Sequence, residues 1–415
     1  MTSQHADLYT PIEKLVARRA AVLGKDAAER GWVADDPVIA FAAPVLWYLG
    51  QGAKTAEAPY WNNAGRFVLL QSRLERIVAA FERAGIPSIV LKGAVVAERL
   101  FPSAGLRPMA DLDLLVRYAD MARAAHELGG MGWEARSPFA ERSKIPEARR
   151  PLKRSGRGER RGEGGRGDGS VWQAGEQEFQ NGEGCVVDLH WHLVPAVWLR
   201  RIYRVNMPAV WRDAVPLLDS RDGCHVEQGE TSRGARCDQS PCSDAFALSA
   251  VHTLAHLCIH LAQHGIQPLR GLLDIDQFVR QCDGEPGWSW DRFIACVGDW
   301  QMRSAAFHVL RFSRDLYGTP IPASVLRALD PGMGARLRLA ALLRPQDLLH
   351  FPPRSLGVRH PTLVKVALAD RVGDVAKLVF DVIVPDVGWR EHRYGVNVSL
   401  WHHWRHAWQV VARGD

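Results

Sequence analysis

The chain of 415 residues has few cysteines, and none of them forms a close pair with another. Its seven cysteines are scattered without a CxxC spacing, which argues against both a disulfide framework and a zinc cage. The first residues contain no cationic segment followed by an apolar one, and no apolar run approaches the roughly 20 residues of a membrane span. We therefore expect a cytoplasmic protein that neither enters nor crosses a membrane.

Positive charge is concentrated in one stretch of the chain. The formal net charge is +6, but residues 141–168 hold ten Lys or Arg against five Asp or Glu and supply +5 of it. The excess of positive charge therefore lies in this stretch and not in the rest of the chain. This charge by itself does not decide whether the protein binds nucleic acid.

Apolar periodicity divides the chain into regions of different character. Residues 1–60 read as a helical segment, and residues 61–218 alternate short apolar runs with helical patterns, as in an α+β domain. Within that domain, residues 137–170 are rich in Arg, Gly and Glu, which predicts a disordered insert. A polar stretch at 219–244 is interpreted as a linker or loop. Residues 245–415 show helical periodicity, which predicts an all-α domain.

Two carboxylates lie two residues apart in the predicted strand DLDLLV. Because successive side chains of a strand alternate between faces, Asp111 and Asp113 share one face with Leu115, while apolar residues occupy the other. Like charges at this separation repel unless a cation lies between them, and Mg²⁺ accepts such oxygen ligands together with water and phosphates. The pair therefore predicts a site for Mg²⁺ or Mn²⁺.

A Lys-Gly pair precedes this strand, between the apolar run SIVL and the helical pattern AVVAERLF. Gly93 lets the backbone approach a phosphate closely, and the free N–H groups at the start of a helix favour an anion. Lys92 adds a positive charge at the same place. The pair therefore predicts a phosphate-binding turn.

A third carboxylate, Asp188, lies in the second strand of a hairpin that an Asn-Gly pair predicts. On that strand Asp188 shares a face with His190. A third carboxylate would complete a site for two divalent ions, which at a separation of about 3.5 to 4 Å serve displacement reactions at phosphorus. We expect Asp188 to lie beside Asp111 and Asp113 in the fold.

The order of these parts resembles that of a known superfamily. The polymerase-beta-type nucleotidyltransferases have the same order of parts: a strand, a glycine turn, a helix, a strand with Asp-x-Asp, a second helix, and a strand with a single Asp. More closely, the chain resembles an uncharacterised bacterial nucleotidyltransferase family over roughly residues 65–280, in the motifs VLKG, LRPMADLDLLV, VVDLHWHL, HLCIHLAQHG and LRGLLDIDQFV. The resemblance implies a minimal polymerase-beta-like domain, a small mixed sheet with flanking helices, followed by the helical domain.

The resemblance also implies roles for the catalytic candidates. Asp111 and Asp113 would bind both metal ions, Asp188 would bind the ion that activates the acceptor, and Gly93 would hold the nucleoside triphosphate. The chain departs from the usual pattern at Ala94, where the superfamily has a serine, and in its long interval between the glycine and the first aspartate. The implied reaction is attack of an acceptor hydroxyl on the α-phosphorus, with release of pyrophosphate.

Further residues are assigned to the cleft. Arg107 either meets phosphate oxygens of the nucleotide or holds its own loop by a salt bridge. His190, His260 and His264 are placed at the edge of the cleft. The last two belong to a series of four histidines spaced by four, which we interpret mainly as a packing face of a helix.

Three alternatives stay open beside the main hypothesis. A toxin-like nucleotidyltransferase would act on RNA or protein, an interaction module would keep the fold without catalysis, and a hydrolase would use the histidine series. The acceptor is a small molecule, a peptide, a protein or RNA, and the sequence does not distinguish among them.

Overall fold

The computed structural model describes most of the chain from residue 57 onwards. The described ranges are 57–136, 175–217, 245–266, 269–349, 361–385 and 399–413, with residue 390 and a few residues between 11 and 48. The predicted insert at 137–170 and the predicted linker at 219–244 lie outside the described residues.

In these ranges, seven strands form one mixed sheet. They are β1 (Ser88–Val90), β2 (Asp111–Val116), β3 (Trp133–Ala135), β4 (Glu176–Asn181), β5 (Val186–His190), β6 (Val215–Pro216) and β7 (Ala245–Ala247). Their order across the sheet is β3-β4-β5-β2-β1-β7-β6. The strand that carries two of the predicted carboxylates, β2, therefore lies at the centre, antiparallel to β1 and parallel to β5.

Helices flank this sheet and then continue as a helical region. The first set is α1 (Glu57–Arg83), α2 (Lys92–Leu100), α3 (Met121–Gly130) and α4 (Met207–Arg212). The second set is α5 (Ala250–Gln263), α6 (Leu269–Gln281), α7 (Trp290–Asp299), α8 (Arg303–Tyr317), α9 (Ala323–Leu329), α10 (Met333–Ala340), α11 (Pro361–Ala367), α12 (Val372–Ile383) and α13 (Leu400–Arg413). This arrangement confirms the α+β fold class. Across the described residues, every helix is too short or too polar to cross a bilayer.

The two faces of β2 pack against different parts of the molecule. Leu112, Leu114 and Val116 join residues of α1 and α3 in one apolar core. Leu115 belongs to a second core, which consists largely of residues from α5, α6 and α8. Since Asp113 shares the face of Leu115, the strand turns its carboxylates toward the helical region.

The predicted hairpin between β4 and β5 is present, and its turn differs in detail from the Asn-Gly expectation. The two strands pair antiparallel, but the positive φ of the turn, 76°, falls at Gly184 rather than at Gly182. The side-chain oxygen of Asn181 accepts the backbone N–H groups of Glu183 and Cys185. Asn181 therefore closes the turn through its side chain, which is a common role of this residue type in turns.

One strand of the sheet comes from a segment that the sequence assigned to the helical domain. β7 lies immediately before α5 and pairs parallel with β1. A strand of three residues is too short to show a period of two, so the pattern did not reveal it. The domain boundaries at 218 and 245 stay predictions.

Candidate active site

The register between β2 and β5 brings two of the predicted carboxylates side by side. Asp113 is paired with Asp188, and Asp111 is paired with Val186. Because paired residues of neighbouring parallel strands point to the same face, Asp113 and Asp188 both face the helical region. Asp111 lies on this face as well, two residues earlier, at the beginning of the strand.

Asp113 is an anion held between two nitrogen groups. Its Oδ1 lies 3.0 Å from Nζ of Lys92 and 3.0 Å from Nε2 of His190, and its side chain is only 1% exposed. Burial by itself would raise the pKa of Asp113, but the charge of Lys92 and the hydrogen bond from His190 outweigh it and hold that pKa well below its ordinary value. Asp113 therefore stays ionised at neutral pH.

The pKa values of the other two carboxylates are shifted in the opposite direction, above their ordinary value. Burial and the negative charge of Asp113 raise the pKa of Asp188 to about 7. The same two causes raise the pKa of Asp111, although Lys92 opposes them. The negative charge of Asp113 thus disfavours ionisation of both neighbouring carboxylates.

Asp113, Asp188 and His190 form a group that fits a divalent cation. One ligand atom of each residue lies within 4.8 Å of the ligand atoms of the other two. Carboxylate oxygens suit Mg²⁺, and an added imidazole nitrogen also suits Mn²⁺. The raised pKa of Asp188 supports the fit, because a cation would balance the negative charge that raises it. Asp111, which the resemblance assigned to both ions, is not part of this group of three.

The first turn of α2 lies directly beside the strand that carries the aspartates. The backbone N–H of Leu91 donates to the carbonyl of Asp113 at 2.9 Å, and α2 begins at the next residue, Lys92. Leu91 is the N-cap and provides no side-chain acceptor, so no cap satisfies the first N–H groups of the helix. The end of the helix that favours an anion therefore faces the carboxylate group.

Gly93 lies in this first turn without a packing reason for being glycine. A Cβ at this position would lie 3.5 Å from Cε of Met109 and 3.6 Å from the carbonyl oxygen of Asp111, which are ordinary contact distances. Its φ is not positive either, so an alanine fits the backbone. Gly93 is itself buried in α2, and its role in phosphate binding stays a prediction.

Lys92 bridges the sheet and α5. Its Nζ lies 3.4 Å from Nδ1 of His260 in addition to its contact with Asp113. Burial, with Lys92 as the next cause, lowers the pKa of His260 well below its ordinary value, so a neutral imidazole accepts the hydrogen bond from the ammonium. The ring of His264 meets that of His260 edge to face, with centroids 4.5 Å apart. His260 and His264, two of the three predicted cleft histidines, therefore lie on the Lys92 side of the site.

Arg107 is bound to other protein groups in the structure. Its guanidinium donates two hydrogen bonds to the carboxylate of Asp274, both at 2.8 Å, and a third to the carbonyl of Gly93 at 3.1 Å. Of the two roles that the sequence left open, this geometry favours the salt bridge that holds the loop.

Two residues that contact members of the site, Glu176 and Asp274, were not predicted as site residues from the sequence. Oε2 of Glu176 lies 3.3 Å from Nδ1 of His190, on the side away from Asp113. Asp274 of α6 reaches Arg107 across 167 positions of the chain. Asp274 lies among the buried residues of α6, and a buried carboxylate requires a partner.

The central strand of this mixed sheet carries two aspartates, and a helix that starts with Lys-Gly lies beside them. This is the arrangement expected of a nucleotidyltransferase. The model of a family described as "Uncharacterised nucleotidyltransferase" matches residues 57–318, which is more than half of the chain. The protein belongs to this family, so it is a nucleotidyltransferase, an enzyme that transfers phosphorus-containing groups. No curated protein and no solved structure matches the chain.

Proposed function

We propose that the protein moves a nucleoside monophosphate from a nucleoside triphosphate to a hydroxyl group of an acceptor in a metal-dependent reaction in the cytoplasm. The observation that carries this proposal is the pairing of Asp113 with Asp188 beside Lys92 and the first turn of α2. The acidic groups suit a cation and the start of the helix suits an anion. Because the two lie in contact, together they suit a triphosphate that binds with a cation.

The start of α2 is the side that binds the triphosphate. Its unsatisfied N–H groups and the helix dipole attract phosphate oxygens, and Gly93 allows them to approach the backbone. Lys92 is partly exposed, with 15% of its side chain accessible, and is placed to contact the same oxygens. We assign the β- and γ-phosphates to this side because the leaving group carries most of the charge.

The carboxylates are the side that binds Mg²⁺ or Mn²⁺. Asp113 and Asp188 would hold one ion with His190 in contact, and Asp111 on the same face would extend the site to a second. A divalent cation held by these residues would neutralise charge on the phosphates and lower the pKa of the acceptor hydroxyl.

Asp188 is suited to accept the proton of the acceptor. A cation bound at the site would lower the pKa of Asp188 from about 7, which keeps this carboxylate ionised and able to accept the proton. The acceptor oxygen forms a bond to the α-phosphorus, the bond from that phosphorus to pyrophosphate breaks, and the hydroxyl proton passes to Asp188.

The test is a transfer assay with labelled nucleoside triphosphates, Mg²⁺ or Mn²⁺, and acceptors from four classes: small hydroxyl compounds, peptides, proteins and RNA. Asp113→Asn and Asp188→Asn should each lower the transfer rate by at least about 100-fold, the usual effect of removing one stabilising group from such a site. Asp315→Asn, on the surface of α8, is the matched control and should retain activity. Undiminished transfer by Asp113→Asn would contradict the proposal.

The same assay separates the alternatives. Label on RNA or protein alone would identify a toxin-like transferase, whereas failure to bind any triphosphate at millimolar concentration would identify a silent module. Turnover that depends on His256 or His260 but not on the aspartates would identify the hydrolase.

A further inference from the structure

One face of α6 holds the segment that joins α2 to β2. Nη1 of Arg270 donates to the carbonyl of Pro108 at 2.9 Å, and Nε2 of Gln281 donates to the last carbonyl of α2 at 2.9 Å. Between them, Asp274 binds Arg107. Positions 270, 274 and 281 are four and seven residues apart, so they lie on one side of the helix. The helical region thus contacts the phosphate-binding side of the site through polar groups.

The Arg107 guanidinium connects this helix to the proposed phosphate-binding turn. Two of its nitrogens meet both carboxylate oxygens of Asp274, and the third donates to the carbonyl of Gly93. Both charged side chains are nearly inaccessible, at 5% and 4% exposure. Because the guanidinium is planar and rigid, the two-point contact with Asp274 fixes the direction of the bond to Gly93.

The bond to Gly93 determines the orientation of a peptide unit in the first turn of α2, where we propose that the triphosphate binds. The carbonyl of Gly93 and the N–H of Ala94 belong to the same planar group, and this N–H is among those that the first turn of a helix leaves unpaired. Holding the carbonyl therefore also aims the N–H. Such donors must be held in place before the ligand arrives if they are to contribute fully to binding.

We propose that Asp274 is a positioning residue of the triphosphate site, acting through Arg107 on the Gly93–Ala94 peptide. The inference rests on the proposed function, since it concerns the binding of the same triphosphate. It adds that the helical region takes part in nucleotide binding without touching the nucleotide at this point.

The competing explanation is a salt bridge that only stabilises the fold, and α6 provides a matched control for it. Asp276 is equally buried, two residues further on, and receives two hydrogen bonds from Arg280 and one from Thr319. Its partners lie away from the carboxylate group. Asp276→Asn and Asp274→Asn therefore remove a similar buried charge from the same helix, one beside the site and one remote from it.

The first experiment measures hydrogen exchange of peptides covering residues 91–97 without nucleotide. Asp274→Asn should speed exchange there, because the guanidinium loses its two-point support, whereas Asp276→Asn should leave it unchanged. Equal exchange in the two variants would overturn the proposal. This readout does not depend on what ligand the protein binds, so it separates failure of the inference from failure of the proposed function.

The second experiment measures triphosphate affinity by titration and KM against kcat in the transfer assay. Asp274→Asn and Arg107→Lys should raise KM for the triphosphate roughly tenfold, with a smaller effect on kcat. This is the effect expected when the Ala94 N–H loses its hydrogen bond to a charged phosphate oxygen. Asp276→Asn should leave KM unchanged. A wild-type protein that binds no triphosphate would contradict the proposed function, and with it the ligand named here.

A double variant guards against simple unfolding. Arg107→Met with Asp274→Leu removes both charges together, which avoids an unpaired buried charge and should restore thermal stability relative to Asp274→Asn. If the pair positions the turn, KM stays raised because the contact with Gly93 is still missing. Recovery of KM together with stability would show that the pair is only structural.

Discussion

The two faces of β2 consist of neighbouring residues and have opposite chemistry. Leu114 on one face is fully buried among α1 and α3, whereas Asp113, one residue earlier, is almost as buried but lies among charged groups under the helical region. The first face is stabilised by the removal of apolar surface from water. The second depends on pairing, because an unpaired charge at such burial is unfavourable. The first face therefore contributes to the fold alone, whereas the second combines the apolar packing of Leu115 with the charged groups of the proposed site.

Leu114→Ala should have the largest effect on stability. The buried leucine leaves a cavity when it is truncated, and the free energy of unfolding should fall by about 2–5 kcal/mol, as measured by urea denaturation. Triphosphate affinity of the folded protein should stay the same, because the change lies on the face away from the site.

Leu115→Ala is the matched control, since this leucine is also fully buried but shares the face of the carboxylates. It should destabilise to a similar extent and also weaken triphosphate binding. Equal binding defects in the two alanine variants would refute the separation of the faces.

The pH dependence of cation binding should distinguish the two carboxylates of the site. Near and below pH 7, Asp188 holds a proton that an entering cation must displace, so affinity should decrease with falling pH, approaching about tenfold per unit. Asp113, with its lowered pKa, should add no slope in this range. The measurement is a titration with Mn²⁺ followed by electron paramagnetic resonance.

In Asp188→Asn the same titration should show weaker binding and a smaller slope around pH 7. The remaining slope comes from His190, whose pKa is raised because its hydrogen bond with Asp113 outweighs the effect of burial. An unchanged slope in this variant would mean that Asp188 is not the group that releases the proton.

Gly93→Ala should have the smallest effect on stability and a clear effect on ligand binding. The added methyl group meets only ordinary contacts, and alanine is favoured over glycine within a helix, so the free energy of unfolding should rise by up to about 1 kcal/mol. Triphosphate affinity should fall, because the methyl group occupies the approach to the helix start.

Gly105→Ala provides the contrasting control for that change. A Cβ there would lie 2.6 to 2.9 Å from ring atoms of Tyr60, so this variant should lose stability. If Gly93→Ala bound triphosphate as tightly as the wild type, the glycine would have no role in phosphate binding.

Much of the fold and part of the site follow from local patterns. The alternation of Asp-Leu-Asp-Leu-Leu-Val predicts a strand with both aspartates on one face, and the structure has that strand at 111–116. The Lys-Gly pair at the start of a helix and the Asn-Gly hairpin are equally local signals, and both elements are present. The apolar periods of a strand (two residues) and of a helix (3.6 residues) depend only on the residues of that one element. For this reason, strands and helices of this kind can be predicted from the sequence.

Contacts between distant elements are not available in this way. The short strand β7 has no period of its own, and its pairing with β1 and β6 identifies it. His190 entered the prediction as a residue at the edge of the cleft, because nothing local shows that its ring reaches Asp113. Arg107 fits a phosphate or a salt bridge equally well until the position of Asp274 is known.

The sequence by itself determined which face of β2 carries Asp111 and Asp113, that a helix follows the turn at Lys92 and Gly93, and which family the chain resembles. The tertiary structure alone decided that Asp188 lies opposite Asp113, that Lys92 and His190 share one oxygen of that carboxylate, and that α6 reaches Gly93 through Arg107. The physical reason is that side-chain direction follows from backbone geometry within an element, whereas the balance of buried charge depends on which elements pack together.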